Sequence, residues 1–487
     1  VVIRATAGLC EVVKRHATGT PTLVVGCDAR YGSSEFATAA CRVASAAGVR
    51  VLALPQANPT PLTSFSMLHF DADAGVMVTA SHNPAPDNGY KVYLGGTVVQ
   101  GDGRGVQIVP PFDAEIAAAI EAAPPADEVP MNDDLIEAVD PREEYVACAS
   151  ALASGEASAR EDLRIVLTAM HGVGAAITSR VLSEAGFSHV SLVAAQADPD
   201  PDFPTVPFPN PEEAGALDMA IEQAREQGAD LIIAVDPDAD RCALAVPDPT
   251  SEMGWSPLSG DQIGSLLGEF LASRGMKGSL ANSIVSSRLL SRIARAHGLD
   301  HHTTLTGFKW IARAPGLGFG YEEAIGFCPD PAHVRDKDGI ATSVVAASLV
   351  AALKAQGRSV WDELERLARL HGLHVSSPLT FRVEEIEQIA SGMARLRAQP
   401  PSVLAGSPVV EVSDLSQGYR GLPPTDGILV LTEAGDRVIA RPSGTEPKLK
   451  CYLEVILPVA EGEALPWEQA RERLDSIKGA FAEIIGL

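Results

Sequence analysis

Short apolar runs broken by polar or glycine- and proline-bearing turns alternate along this chain with segments of helical spacing. Residues 22–26, Thr-Leu-Val-Val-Gly, predict a strand, residues 34–48 a helix, and residues 49–54 a second strand. Gly75-Val76-Met77-Val78 then leads into the polar stretch Thr79-Ala80-Ser81-His82-Asn83-Pro84. Strand, helix and strand in turn predict βαβ units on a mostly parallel sheet. Residues 163–168 open a second such unit, with the glycine-containing turn 170–174 and a helix after it, a helix near 212–227, and the strand 230–235. In a third, residues 280–287 predict a strand followed by a helix, before the segments 304–311 and 318–327. Residues 121–143, rich in Ala, Pro, Asp and Glu, read as a connector, and the proline-rich stretch 198–211 as a long ordered loop. Residues 1–13 have helical spacing with neither an initiator Met nor a capping residue, as in a chain that starts inside a helix.

At 487 residues the chain exceeds what one hydrophobic core supports, so two to four domains are expected. Sixty-three acidic against 38 basic residues give a net charge of -25, which argues against nucleic acid or an anionic membrane as partner. If the substrate is itself anionic, local cations or a metal must reverse that field. Seven scattered cysteines without a C-x-x-C spacing read as reduced thiols of a cytoplasmic protein, and no run approaches the ~18 apolar residues of a membrane span.

Four polar loops carry candidate chemistry. Ser81 follows a buried apolar run, and at the carboxyl end of a strand in an open α/β sheet its hydroxyl could carry a phosphoryl group. Asp236, Asp238 and Asp240 follow the strand 230–235 at every second position around Pro237. Such hard oxygen donors suit magnesium, and the spacing lacks the glycine and distal glutamate of an EF-hand. Glu322 and Glu323 are two adjacent carboxylates in the segment 318–327, which could serve as acceptors in a site or lie solvated in a surface turn. Arg441, Ser443, Gly444 and Thr445 combine a bidentate cation, hydroxyls and a glycine, the parts of a phosphate cradle. The run 316–320 lacks the spacing and context of a dinucleotide-binding loop, and the G-x-G at 172–174 reads as strand-to-helix packing. Gly26 to Ser34, with Asp28 and Arg30, reads equally as a solvated turn capped by Ser33 or Ser34 and as a contributor to a site.

Thr79-Ala80-Ser81-His82-Asn83-Pro84 followed by Asn88-Gly89-Tyr90-Lys91 resembles the phosphoserine loop of the α-D-phosphohexomutase superfamily, and the other three loops resemble its metal, sugar and phosphate loops. Within it, Glu-Glu-Ala-Ile-Gly at 322–326 and the loop at 28–33 look more like the branch holding phosphoglucomutase/phosphopentomutase-type enzymes and phosphomannomutases. The resemblance implies an α/β fold of four domains around a central cleft, three mixed α/β domains and a C-terminal α+β domain, with expected bounds 1–143, 144–258, 259–370 and 371–487. It implies a mutase that interconverts hexose 1- and 6-phosphates of mannose or glucose through phosphorylated Ser81, with a sugar bisphosphate as intermediate and activator. Magnesium would be held by Ser81, Asp236, Asp238 and Asp240. Lys91, His82 and Lys337 are the candidate proton carriers; Thr306, Gly307, Glu322, Glu323, Arg241, Arg441, Ser443, Gly444 and Thr445 are expected to bind substrate. Ala324 stands where the family commonly has Ser, and the family's N-terminal segment with its arginine is absent from this sequence. A phosphopentomutase and a non-catalytic sugar-phosphate-binding homologue are the alternatives. The partner is then a small sugar phosphate, and the chain acts as a monomer or dimer.

Overall fold

The computed structural model of the chain describes residues 1–383, 385–443 and 447–486. It divides into two compact units, Val1–Ala281 with Gly307–Val360, and Asn282–Thr306 with Trp361–Leu487.

The first unit begins with a sheet of β1 (Thr22–Cys27), β2 (Arg50–Ala53), β3 (Ala74–Val78), β4 (Tyr90–Leu94), β5 (Val106–Gln107) and β6 (Ile136–Ala138), in the order β5-β4-β3-β1-β2-β6. β3, β1, β2 and β6 are parallel, while β4 pairs antiparallel with β3 and β5 antiparallel with β4. β3 is buried along its whole length, as its unbroken apolar sequence demands of a central strand. Leu9, Val12, Val25, Val51 and Val76 share one core beneath this sheet. The stretch 121–143 is more than a connector, since β6 within it extends the sheet edge.

A second sheet follows from β7 (Arg164–Thr168), β8 (His189–Leu192), β9 (Leu231–Val235), β10 (Cys242–Pro247) and β11 (Trp255–Pro257), ordered β11-β10-β9-β7-β8. β7, β8 and β9 are parallel, and β10 and β11 run antiparallel. The helix expected near 212 starts at Asp218, because the turns of the proline-rich loop continue to Leu217. β12 (Ser279–Ser283) crosses the boundary between the units; β13 (His301–Thr304) belongs to the second, and β14 (Leu317–Glu322) and β15 (Gly326–Cys328) form an antiparallel hairpin in the first. The helix Gly339–Ala355, apolar on nearly every face, is buried almost throughout, as such a helix must be in a globular unit. Asp338 caps it by accepting from the Ala341 amide at 2.8 Å.

In the second unit, β16 (Leu373–Arg382), β17 (Val403–Leu404), β18 (Ser407–Asp414), β19 (Ile428–Thr432), β20 (Arg437–Pro442) and β21 (Lys448–Leu457) form a sheet ordered β16-β21-β20-β19-β18-β17. Its core joins Val430, Val438 and Leu453 to Leu474, Ile477 and Phe481 of the helix Trp467–Ile485. All seven cysteines are free thiols, and no single helix among the described residues is long and apolar enough to cross a membrane.

Candidate active site

β3 delivers Ser81 beyond its carboxyl end in a left-handed conformation, φ 52°, unusual for a residue with a side chain. The loop is tied from several sides. The Ser81 amide donates to Thr79 Oγ1 at 2.9 Å, and the Thr79 amide to the Gly89 carbonyl at 3.2 Å. Arg30, 5% exposed, donates to the carbonyls of Ser81 and Asn83 at 2.6 Å each, Pro84 at 2.9 Å and Asp87 at 3.3 Å. Ser33 does not cap its helix but turns its hydroxyl to Asp28 Oδ1 at 2.5 Å. The solvated-turn reading of this segment is thus replaced by a buried support for the serine loop. Ser81 Oγ donates to Asp236 Oδ2 at 2.8 Å and lies 3.3 Å from His82 Nδ1.

β9, also buried throughout, ends in the aspartate loop, where Ala239 at φ 56° turns the chain. Gly172 lets the turn after β7 press against this loop: a Cβ there would lie 2.3 Å from Pro237 Cα. The sequence predicts that the G-x-G turn packs a strand on a helix; at Gly172 the close packing is of one loop on another. Asp236, Asp238 and Asp240 are 0% exposed, and one oxygen from each lies within 4.8 Å of the others. Lys91 Nζ donates to Asp238 Oδ2 and Asp240 Oδ2 at 2.7 Å each, Lys337 Nζ is 3.2 Å from Asp240, and Thr60 Oγ1 donates to Asp238 at 2.5 Å. The other oxygens of Asp238 and Asp240, both Oδ1, are buried with no hydrogen-bond partner among the described residues. Buried carboxylate oxygens left unpaired are costly unless a cation meets them. The triad therefore fits a hard metal ion, and it could hold one.

Charge is divided unevenly here. Burial, then Asp238 and Asp240, push Asp236 well above the ordinary carboxylate range. Burial acts the same way on Asp238, but the Lys91 charge and hydrogen bonds outweigh it and hold that group below the range. Lys91 itself is lowered by burial and raised further by Asp238 and Asp240, so it stays well above its usual value. Burial and the Arg241 charge push His82 down to about 3, leaving it neutral at pH 7.

The β14–β15 hairpin brings the sugar-loop glutamates to the same neighbourhood. Glu322 ends β14, Ile325 at φ 53° closes the turn, and the Cys242 amide donates to the Ile325 carbonyl at 3.1 Å. Arg241 forms a backbone bridge with Gly326 and donates its amide to Asp236 Oδ1 at 3.0 Å. The Lys337 stem lies so close over Gly326 that a Cβ there would be 2.3 Å from Lys337 Cδ and 3.0 Å from Glu322 Oε1. Its ammonium sits 5.5 Å over the Phe308 ring, one residue after Gly307. Asp336 accepts from Tyr93 and Gln107 at 2.7 Å each and faces Lys337 at 3.7 Å.

Of the expected site residues, Ser81, His82, Lys91, Asp236, Asp238, Asp240, Arg241, Glu322 and Lys337 form one contiguous set in the first unit, which also holds Glu323 and Gly307. Thr306, Arg441 and Ser443 belong to the second unit; Arg441 pairs with Lys450 across the sheet, and the Ser443 amide donates to the Lys448 carbonyl at 2.8 Å. Gly444 and Thr445 lie outside the described residues. Sequence reasoning overlooked Thr60, Thr79, Tyr93 and Asp336. Thr60 reaches an aspartate 178 positions away, and nothing local signals that.

Four family models cover the chain: phosphoglucomutase/phosphomannomutase alpha/beta/alpha domain I over residues 1–126, domain II over 143–250, domain III over 259–370, and the C-terminal domain over 381–470. The chain is 44% identical over 462 residues to a probable phosphomannomutase of Haemophilus influenzae, covering 93% of this chain and 92% of the relative. It is 31% identical over 478 residues to a phosphoglucomutase of Staphylococcus aureus, covering 91% and 83%. A crystal structure of a putative phosphomannomutase from Thermus thermophilus superposes with a TM-score of 0.73 at 25% identity, over 98% of this chain and 94% of that one. With its four-domain architecture and its acidic triad beside a loop-borne serine, the chain belongs to the phosphoglucomutase/phosphomannomutase family of phosphohexose mutases, which are isomerases.

Proposed function

We propose that this chain interconverts the 1- and 6-phosphates of mannose or glucose through a phosphorylated Ser81 and a bisphosphorylated sugar. The observation that supports it most is Ser81 itself, held in a left-handed turn with Oγ 2.8 Å from the buried aspartate triad. In the first half-reaction the phosphoserine P–O bond breaks as the free hydroxyl oxygen of the sugar phosphate bonds to phosphorus. The hydroxyl proton passes to a side chain, and a side chain gives a proton to the serine oxygen as it leaves, which restores the Ser81 hydroxyl. In the second half-reaction the other phosphate of the bisphosphate returns to Ser81 by the reverse steps, so no cofactor is consumed. Lys91, kept charged by Asp238 and Asp240, is the proposed donor to the leaving oxygen, with His82 and Lys337 as the other candidate proton carriers.

Magnesium is the proposed metal, held by Asp236, Asp238, Asp240 and a phosphoserine oxygen, and when bound it would offset charge on the transferring group. Lys91 and Lys337 are paired with Asp238, Asp240 and Asp336, so a bound metal together with them would supply the local positive charge that an acidic protein needs to admit an anionic substrate. Glu322 and Glu323 would accept from ring hydroxyls, with Arg241, Thr306 and Gly307 as further substrate contacts. Arg441, Ser443, Gly444 and Thr445 would bind the phosphate that is not being transferred. The free cysteines support a reducing, cytoplasmic setting.

The test is a panel of the 1-phosphates of mannose, glucose, glucosamine and ribose, each with a catalytic amount of its bisphosphate. Mannose or glucose 1-phosphate should turn over, mass spectrometry should place one phosphoryl group on Ser81, and Ser81→Ala should abolish turnover with the fold intact. Full activity in Ser81→Ala, or turnover of none of the four, would remove the proposal.

A further inference from the structure

We propose that Arg30 is the positioning residue of the serine loop, acting through the main chain and touching no substrate. Four carbonyls spread over seven residues, those of Ser81, Asn83, Pro84 and Asp87, converge on one guanidinium. An extended segment cannot present them to a single point, so the loop must wrap around the cation. The bond to the Ser81 carbonyl, 2.6 Å long, fixes the plane of the peptide that follows the serine. Together with the left-handed φ of Ser81, this fixes the direction of its Cα–Cβ bond, from which Oγ reaches Asp236 Oδ2 at 2.8 Å. A non-glycine residue keeps such a backbone only where its surroundings over-determine it, and Arg30 supplies that constraint.

Arg30 is itself held from behind. Its Nε faces Asp28 at 3.4 Å, and its guanidinium lies 5.0 Å over the Phe203 ring, from the stretch 198–211. Asp28 Oδ1 is occupied by the Ser33 hydroxyl at 2.5 Å and the Arg30 amide at 3.0 Å, and Asn88 Nδ2 ties the far end of the loop to Ser33 Oγ at 2.9 Å. With both terminal nitrogens committed to the loop, the side chain acts as a strut beneath Ser81. Lysine cannot replace it, because an ammonium has three donors on one atom and lacks the planar fork that serves four acceptors.

The inference rests on the mutase reading for its kinetic consequence and on geometry alone for its structural one, so the full-length chain is tested both ways. Amide hydrogen exchange over residues 79–89, which needs no activity, should quicken in Arg30→Lys and Arg30→Ala. In steady-state turnover both variants should lose roughly 100-fold in kcat, the cost of a displaced reacting group, with KM little changed. Added guanidinium ion should restore part of kcat to Arg30→Ala and none to Arg30→Lys, whose ammonium fills the space. Should Arg30→Ala fail to fold, Arg30→Lys carries the test. Unchanged loop exchange would overturn the proposal, and so would a raised KM at wild-type kcat, which would make Arg30 a substrate ligand. If the wild-type chain turns over no sugar phosphate, the mutase reading fails and the exchange measurement alone decides Arg30.

Discussion

At the scale of the residue, the site depends on close approaches that single atoms can spoil. Gly326 is the sharpest case, since Lys337 Cδ would stand 2.3 Å from a Cβ placed there. Gly326→Ala forces the lysine stem aside and weakens its hold on Asp240, now 3.2 Å from Nζ. Overpacking of this kind typically costs about 1–3 kcal/mol. We expect a modest fall in thermal stability together with a larger fall in turnover, checked by calorimetry and steady-state rates on the same preparation. Unaltered turnover would show that the position of Lys337 is not important for activity. The same closeness sets Lys337 against Glu322 and Gly326, which face each other across the β14–β15 hairpin.

At the scale of the element, one carboxylate on β21 joins three other segments of the second unit. Glu454 accepts from Ser287 Oγ at 2.7 Å, from the Arg288 amide and Nε at 2.9 and 2.6 Å, and from His374 Nδ1 at 3.0 Å, and it faces Arg437 at 3.4 Å. Burial alone would raise its pKa, but Arg437, His374 and Arg288 reverse this and hold it well below 4.5. A depressed acid stabilises the fold above its unfolded pKa and loses that contribution as the pH falls toward its folded value. The second unit should therefore weaken as the pH falls below about 4.5, where the unfolded chain takes up this proton and the folded one does not yet do so. Glu454→Gln takes this anion from the buried Arg437 and the half-buried Arg288, a loss of about 3–5 kcal/mol near neutrality. Urea unfolding followed from pH 7 to pH 3 should show the gap between wild type and variant narrowing in acid. A constant gap would mean that the charge of Glu454 contributes nothing.

At the scale of the whole molecule, two compact units with separate cores predict that unfolding is not a single two-state event. The aspartate triad belongs to the first unit, so magnesium should raise only the transition of that unit, by about 2.7 kcal/mol at 100 times its dissociation constant. Asp238→Asn should abolish this shift and lower kcat by two orders of magnitude or so, as removal of preorganised electrostatic groups does. A rate unaffected by EDTA would exclude a catalytic metal at the triad. Turnover in both directions probes the second unit. If Arg441 binds the phosphate that is not being transferred, as proposed, Arg441→Ala would remove charge-assisted hydrogen bonds worth about 1.5–3 kcal/mol each and should slow both directions alike. It should also speed the loss of labelled bisphosphate into solution. Impairment in one direction without added release would point to separate sites for the two phosphates.

The sequence alone determined where β3, β7 and β9 end and which polar residues follow them, because an apolar run and its terminating turn are local facts. Ser81 after β3 and the three aspartates after β9 were legible for that reason, as were the paired glutamates. Tertiary structure decided what those residues do to one another. It alone turned Arg30 inward beneath the loop, brought Thr60 to Asp238, and placed Lys91 between two carboxylates. It also set Asp236 and Asp238 on opposite sides of the ordinary carboxylate range, a division that burial and the position of one ammonium create and that no spacing along the chain encodes. Periodicity reports which face of an element is buried, whereas the partner of a buried polar group depends on how separate elements pack.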